Sequence, residues 1–564
     1  MADTVSRIYA NFRGADFRGE EINLSRSPDC LNVWKDYKET DSIRTRPGLR
    51  QEAKLPDKVY GIFFYANEMY VHAGRDIYRV KPGEEPVCLT KGEINPVPSQ
   101  AFVFGDLLYF KDGVNYFIYN NADNMQEFMP FEGYVPTTSI ARSPEGGGKI
   151  YEGVNLLSDY RINTFLADGH SIDYYLDTKS IDRDFEPIVT VNGNRISSEN
   201  LDVRYEDGVI SFVQIVPEPP DTDGQDNVSI KFKKAVPGYK EIITNCTMLQ
   251  PFDNRVFFSG NPDYPNMIYH CALNDPTYCK DQDFYQEGMD ASEIRGMVAG
   301  NNALWVFRKP SAANTTVFYH TPSIDSEYGK IYPSSHSSVT LGCTGRAINF
   351  NDDILFFSER GMEGISGDIT TEQIAAHRST TVDRKLTAEA LYNNMVLEEW
   401  NGYLFVFIGN KVYLADSRSM FQNENHYEYE WFYWELDKEV TCSCVQNNVL
   451  YVGTSEGVYS FTDNEKYLES YWVTPKDKFK YPHSLKTTNK RGIVGEATGD
   501  LNIYVKTESS DFEYIGTYEN VTDYFVSRIK RKKFKDIQIK FHSLTRFSLE
   551  TFTLEAFIGG YIKR

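Results

Sequence analysis

Three short stretches carry residues whose types and spacing suggest chemistry. Asp182 and Asp184 stand two apart, so on a strand they would share one face, and paired carboxylates are the machinery of glycoside hydrolysis. Asp221, Asp223 and Asp226, in Asp-Thr-Asp-Gly-Gln-Asp, resemble the opening of a calcium loop. Gly146-Gly147-Gly148-Lys149 has the glycines and lysine of a phosphate cradle. Each fails on its surroundings. Phe232 occupies the place of the calcium loop's bidentate acid, and Ile150 follows Lys149 where a P-loop needs Ser or Thr. With 80 acidic residues in the chain, a carboxylate pair arises by chance. The nine histidines are dispersed, with no His-Glu-x-x-His, and no Gly-x-Ser-x-Gly elbow occurs. These residues predict a protein that is not an enzyme and carries no cofactor or metal.

One charged run remains: Arg528, Lys530, Arg531, Lys532, Lys533 and Lys535. The whole chain of 564 residues has 59 basic residues against the 80 acidic ones, a net charge of −21, which argues against a general nucleic-acid binder. The run is a candidate contact for a partner or for nucleic acid, and equally a charged edge strand that resists sheet-to-sheet association. Only Phe525 and Phe534 lie beside it, too few aromatics for base stacking. The eight cysteines match no zinc spacing, Cys442-Ser443-Cys444 being too tight, and read as buried reduced thiols. The opening residues lack an apolar leader and no run of about 18 apolar residues exists, so folding in a cytosol is expected.

The elements that would hold these residues are strands. A five-residue word recurs seven times: two turn formers, a variable residue, an aliphatic or Met, then an aromatic. The copies end at Tyr70, Tyr109, Phe257, Trp305, Phe356, Phe405 and Tyr451, with steps of 39, 148, 48, 51, 49 and 46 residues. Asn, Asp and Gly accept the positive φ of a tight hairpin turn, and the residues after them suit a pleated strand. A period near 48 predicts a β-propeller of about seven blades.

The long step marks a guest. Subtracting one period leaves roughly 100 extra residues, read as an inserted β-sandwich domain over 141–238 with Asn192-Gly193 and Asp207-Gly208 turns. Deleting 143–236 is expected to leave a folded propeller. The remaining plan is an arm and propeller closure over 1–54, two blades over 55–140, the other blades over 239–476 and a separate C-terminal β-sandwich over 477–564. The best helix candidate is 387–397. The aromatic block Tyr427, Tyr429, Trp431, Phe432, Tyr433 and Trp434, interleaved with Glu428 and Glu430, reads as blade packing rather than a ligand cage.

The arm adds something the period does not. Asn11-Phe12-Arg13-Gly14-Ala15-Asp16-Phe17, then Ser25-Arg26-Ser27-Pro28-Asp29-Cys30-Leu31-Asn32, then Arg44-Thr45-Arg46-Pro47-Gly48-Leu49 resembles the opening of tailed-phage stabilisation, head-to-tail adaptor and tail-nozzle proteins. The closing run from Phe547 to Gly560 is similar to their ends. The resemblance implies a propeller virion protein forming a ring, often of six copies, below the portal. There it would contact portal or adaptor and other tail proteins, line the exit path of double-stranded DNA without reading sequence, and help retain the genome. An acidic wall would let DNA slide. A tail-associated receptor- or glycan-binding protein is the second reading, and a propeller glycosidase the third.

Overall fold

The computed structural model describes residues 4–36, 42–120, 128–222, 224–313, 315–326, 329–366, 372–423, 426–462, 467–508 and 510–561. The protein is all-β: among the described residues, a β-propeller of seven four-stranded blades, with an inserted β-sandwich and a C-terminal β-sandwich. By compactness the chain divides into two units, one of residues 1–98, 306–317 and 336–564, the other of 99–305 and 318–335.

The recurring word is the turn between the first two strands of each blade. Both turn residues have positive φ at Ala66-Asn67, Asp253-Asn254, Asn301-Asn302, Asn351-Asp352, Asn401-Gly402 and Asn447-Asn448, the signature of a type I′ turn. At Gly105-Asp106 the glycine alone does, as a type II′ turn requires. The strands then pair directly, as in Tyr65 opposite Glu68 and Gln446 opposite Val449. In the fifth copy the turn lies one residue earlier than the sequence frame placed it. Phe350 pairs with Asp353, so buried Leu355 takes the aromatic's position. Asp353, displaced from the turn, accepts bonds from Arg378 (3.0 Å), Tyr427 (2.8 Å) and Tyr429 (2.9 Å).

In the first unit the seventh blade is completed by the start of the chain, since Gly48–Lys54 pairs with Gly457–Thr462. Sharing a blade between chain ends leaves no open edge there. Gly457, at φ +132°, sits against this closure, and a Cβ on it would lie 2.1 Å from the Ala53 carbonyl oxygen. The rest of the arm does something else. Thr4–Tyr9 pairs with Phe547–Tyr561, Cys30–Leu31 with Ser470–Val473, and Ile43–Thr45 with Phe547–Tyr561. The C-terminal β-sandwich is therefore not separate, because arm strands supply part of its 11-stranded sheet. One continuous core runs from Phe12 and Trp34 through Trp434 to Phe541 and Leu554. The expected helix over 387–397 is absent. A helix occupies Asp383–Leu386, a single 3-10 turn Tyr392–Asn394, and a strand starts at Val396, its partner strand taking the backbone bonds a helix would need.

In the second unit the insert is a six-stranded sheet facing a three-stranded one around Phe165, Tyr174, Ile210, Phe212 and Phe232. Its sheet starts at Thr137, and residues within its span serve a blade. Buried Asn155 donates to the Tyr134 and Thr277 carbonyls (2.8 and 2.9 Å) and accepts from Leu157 and Cys279 N–H (3.1 and 3.0 Å). Leu156 and Leu157 pack with Val256 and Phe258 of the third blade. Deleting 143–236 would thus remove part of the blade core, which corrects the clean excision expected from sequence.

Two substitutions test these joints. Gly457→Ala forces a Cβ onto backbone and should cost more than about 2 kcal/mol in chemical denaturation. Asn155→Ala strips four bonds from buried groups and should cost about 3 kcal/mol, lowering the thermal midpoint of the 99–305 unit.

Candidate functional site

The arm is held to the sixth blade by backbone. Its outermost strand, His426–Glu435, offers carbonyls that the arm pairs: Ala15 N–H donates to Trp431 (2.6 Å) and Asn32 N–H to Tyr433 (3.0 Å). Gly14 makes this approach possible. Its φ is +84°, and a Cβ there would lie 2.1 Å from the Trp431 carbonyl oxygen. Side chains lock the contact: Trp34 lies against Trp400, Tyr403 and Trp434 at ring distances of 6.0, 5.4 and 5.4 Å, and Trp434 Nε1 donates to the Val33 carbonyl (3.1 Å).

Where the arm crosses this blade, two adjoining clefts of about 520 and 780 Å³ open, sharing Arg13, Asn23 and Met420. A bulge builds one wall. Asp416 pairs with Glu430, the next pair is Met420 with Tyr429, and 417–419 are looped out. Five cations line the clefts, Arg13, Arg18, Arg26, Lys35 and Arg418, with two carboxylates, Asp16 and Glu430. Some charge is internally matched. Arg18 grips Asp16 through Nε (2.8 Å) and Nη2 (2.7 Å), and Arg418 holds Asp416 through Nε (2.9 Å) and Nη2 (3.1 Å).

The rest is not. Glu430 is 3% exposed, and its Oε2 has no hydrogen-bond partner. Arg13 and Arg26 approach its other oxygen only to 3.6 and 3.9 Å. Burial therefore raises its pKa to about 7, against the pull of Arg26, Lys35 and Arg13. Lys35 is 8% exposed; its pKa is lowered by burial, and its ammonium makes no hydrogen bond or ion pair among the described residues. Arg26, 6% exposed, lies over the Phe421 ring at 4.0 Å and reaches Asp16 only at 3.7 Å. This arrangement can attract an anion; it shows no nucleophile and base in hydrogen-bond contact.

The residues singled out from sequence lie elsewhere. Asp182 and Asp184 lie outside any strand, Asp184 in a turn: Asp182 accepts from Ala235 N–H (2.7 Å) and Asp184 pairs with Lys233. Asp226 caps Ala141 N–H (2.9 Å) and bonds Thr164, while Asp223 lies outside the described residues. No group of three metal-ligating side chains is assembled among the described residues. In the basic run Arg528, Lys530, Arg531, Lys533 and Lys535 are exposed and Lys532, half-buried, pairs with Glu513, while Ile529 and Phe534 turn inward. That run shares no lining residue with the clefts. No described helix is long and apolar enough to cross a membrane.

No protein-family model and no curated protein matches the chain. Among solved structures it is similar to BamB from Moraxella catarrhalis, at 10% identity, covering 78% of this chain and 94% of that one, TM-score 0.33. It is similar also to the Pan2 WD40 domain of Neurospora crassa, at 10% identity over 75% and 96%, TM-score 0.26. A third is the family AA12 carbohydrate-active enzyme of Trichoderma reesei, at 6% identity over 75% and 98%, TM-score 0.28. The blade assignment rests on the strand pairing described above.

Glu430 has a consequence for stability against pH. Its folded pKa exceeds the ordinary 4.5, so its contribution is present in full below that value and is lost as pH rises through about 7. Glu430→Gln should flatten the stability profile between pH 4.5 and 7. At pH 8 it should stabilise the fold by about 3 kcal/mol, read by urea unfolding at each pH.

Proposed function

We propose that the protein is a structural component of a tailed-phage virion, a tail-nozzle, adaptor or stabilisation protein that assembles as a homo-oligomeric ring along the DNA exit path. It is not an enzyme, and it works by holding shape and by presenting contacts to portal, adaptor and tail neighbours. The observation that carries the reading is the arm motif. The resemblance rests on residues 11–17, 25–32 and 44–49; within them Ala15 and Asn32 bond the sixth blade, Ser27, Cys30, Leu31 and Arg44 join the C-terminal sheet, and Gly48 and Leu49 pair with the seventh blade.

The charge distribution supports the same reading. A net charge of −21 suits a wall along which DNA slides. The exposed cations of the basic run have no ion pairs among the described residues except at Lys532, which leaves them free for an acidic neighbour. Heterologous contacts between such surfaces close into a ring where the rotation between copies divides a full turn.

Native mass spectrometry of the purified full-length chain should show a single closed homo-oligomer at micromolar concentration, with rings visible by electron microscopy. Reversing Arg528, Lys530, Arg531 and Lys533 to Glu should leave the folded protomer intact and cut its incorporation into particles. A protomer that stays monomeric alone and with portal or adaptor would refute the reading.

A further inference from the structure

We propose that the paired clefts between the arm and the sixth blade form an oxyanion site, which takes a phosphate-class ligand between Arg13, Arg26 and Lys35. The site lies within one protomer and does not depend on ring assembly.

Its first element is a set of cations that the fold leaves without partners. A cation held largely out of bulk water without a hydrogen-bond partner is costly. Lys35 is 8% exposed as a residue, and its ammonium, which lines the larger cleft, makes no hydrogen bond or ion pair among the described residues. Arg26 is equally buried and lines the smaller one, yet no hydrogen bond satisfies its guanidinium among the described residues; Asp16 and Glu430 stay beyond 3.6 Å. Arg13 borders both clefts with its side chain half exposed, leaving a guanidinium fork directed at solvent. The nearby carboxylates do not resolve this. Asp16 and Asp416 are engaged by Arg18 and Arg418, and Glu430 remains beyond hydrogen-bond distance of every cation around it.

The second element is fit. Guanidinium groups bind tetrahedral and planar oxyanions through paired N–H donors, and an ammonium adds a point charge. Cleft volumes of about 520 and 780 Å³ exceed what a single inorganic phosphate needs and suit a diphosphate or a phosphorylated small molecule. In a chain of net charge −21, five lining cations around two carboxylates mark a local reversal of sign. Phe421, already under Arg26, holds that guanidinium in place and lowers the entropy lost on binding.

The test is thermal unfolding of the full chain with sodium pyrophosphate at fixed ionic strength and pH 7.5, with chloride and acetate as controls. Wild type should show a saturable rise in melting temperature with pyrophosphate alone. Arg13→Gln, at a half-exposed position, should melt as wild type without ligand and bind about tenfold more weakly or worse. Lys35→Met replaces the unpartnered ammonium by an apolar chain of similar length. It should melt higher than wild type without ligand and lose the pyrophosphate shift, a combination that a purely structural lysine does not give. Competition by a short DNA duplex would assign the oxyanion to a nucleic-acid backbone, and failure to compete would assign it to a free phosphorylated molecule. No wild-type shift at concentrations about tenfold above a millimolar Kd, or equal shifts in wild type and both variants, would overturn the proposal.

Discussion

An outer strand of a blade ends in a row of backbone carbonyls and amides that must find partners, and in this protein the outer strand of the sixth blade finds them in the arm. The bonds from Ala15 to Trp431 and from Asn32 to Tyr433 are few, but much of the first unit hangs on them. They fix the arm's path, which sets where Thr4–Tyr9, Cys30–Leu31 and Ile43–Thr45 enter the C-terminal sheet. They also bring Trp34 onto Trp434, so that the core continues without interruption from blade to sheet. Gly14 is the permissive residue, because only a backbone without Cβ comes this close to a neighbouring carbonyl.

That clasp also creates the electrostatic character of the site. Laying a charged segment against a strand that carries Glu428 and Glu430 buries ions of both signs together. Where geometry allows, they pair closely, as Arg18 does with Asp16. Where the bulge at 417–419 pushes the walls apart, they do not, and a carboxylate that holds its proton near neutrality faces an ammonium without a partner. Burial outweighs attraction at both groups, since no close hydrogen bond offsets the lost hydration.

Much of the fold was legible because its signals are local. Asn301-Asn302 or Asn447-Asn448 dictates a turn from its own backbone preferences, and the following residues need only suit a strand. The one-residue slip in the fifth copy came from reading Phe356 as the repeat's aromatic, when Asp353 had been drawn from the turn into a buried network with Arg378. Of the residues expected to be helical over 387–397, Val396 and Leu397 are drawn into strand pairing, and the helix that forms lies earlier, at Asp383–Leu386. The clefts were not legible. Four of their five cations come from residues 13 to 35, and the fifth, Arg418, comes with the other wall from residues 418 to 430; no spacing rule spans that distance. The one available hint was Glu428 and Glu430 alternating with rings, a block that sequence alone assigned to blade packing. The basic run at 528–535 announced itself by density, but density reports exposure, and that is what the structure shows there.

The pairing of the first strand with the last has a further meaning in time. Thr551 Oγ1 donates to the Tyr9 carbonyl across a separation of 542 residues. A ribosome delivers the first partner long before the second exists, so the arm's strand stays unsatisfied through nearly all of synthesis. Closing a loop of that length is slow relative to local hairpin formation, and the blades can form around an arm still waiting. The sheet is completed only once Phe547–Tyr561 has been made. A product stopped before Phe547 lacks the partner of Thr4–Tyr9 and keeps an open edge, a target for proteolysis or chaperones.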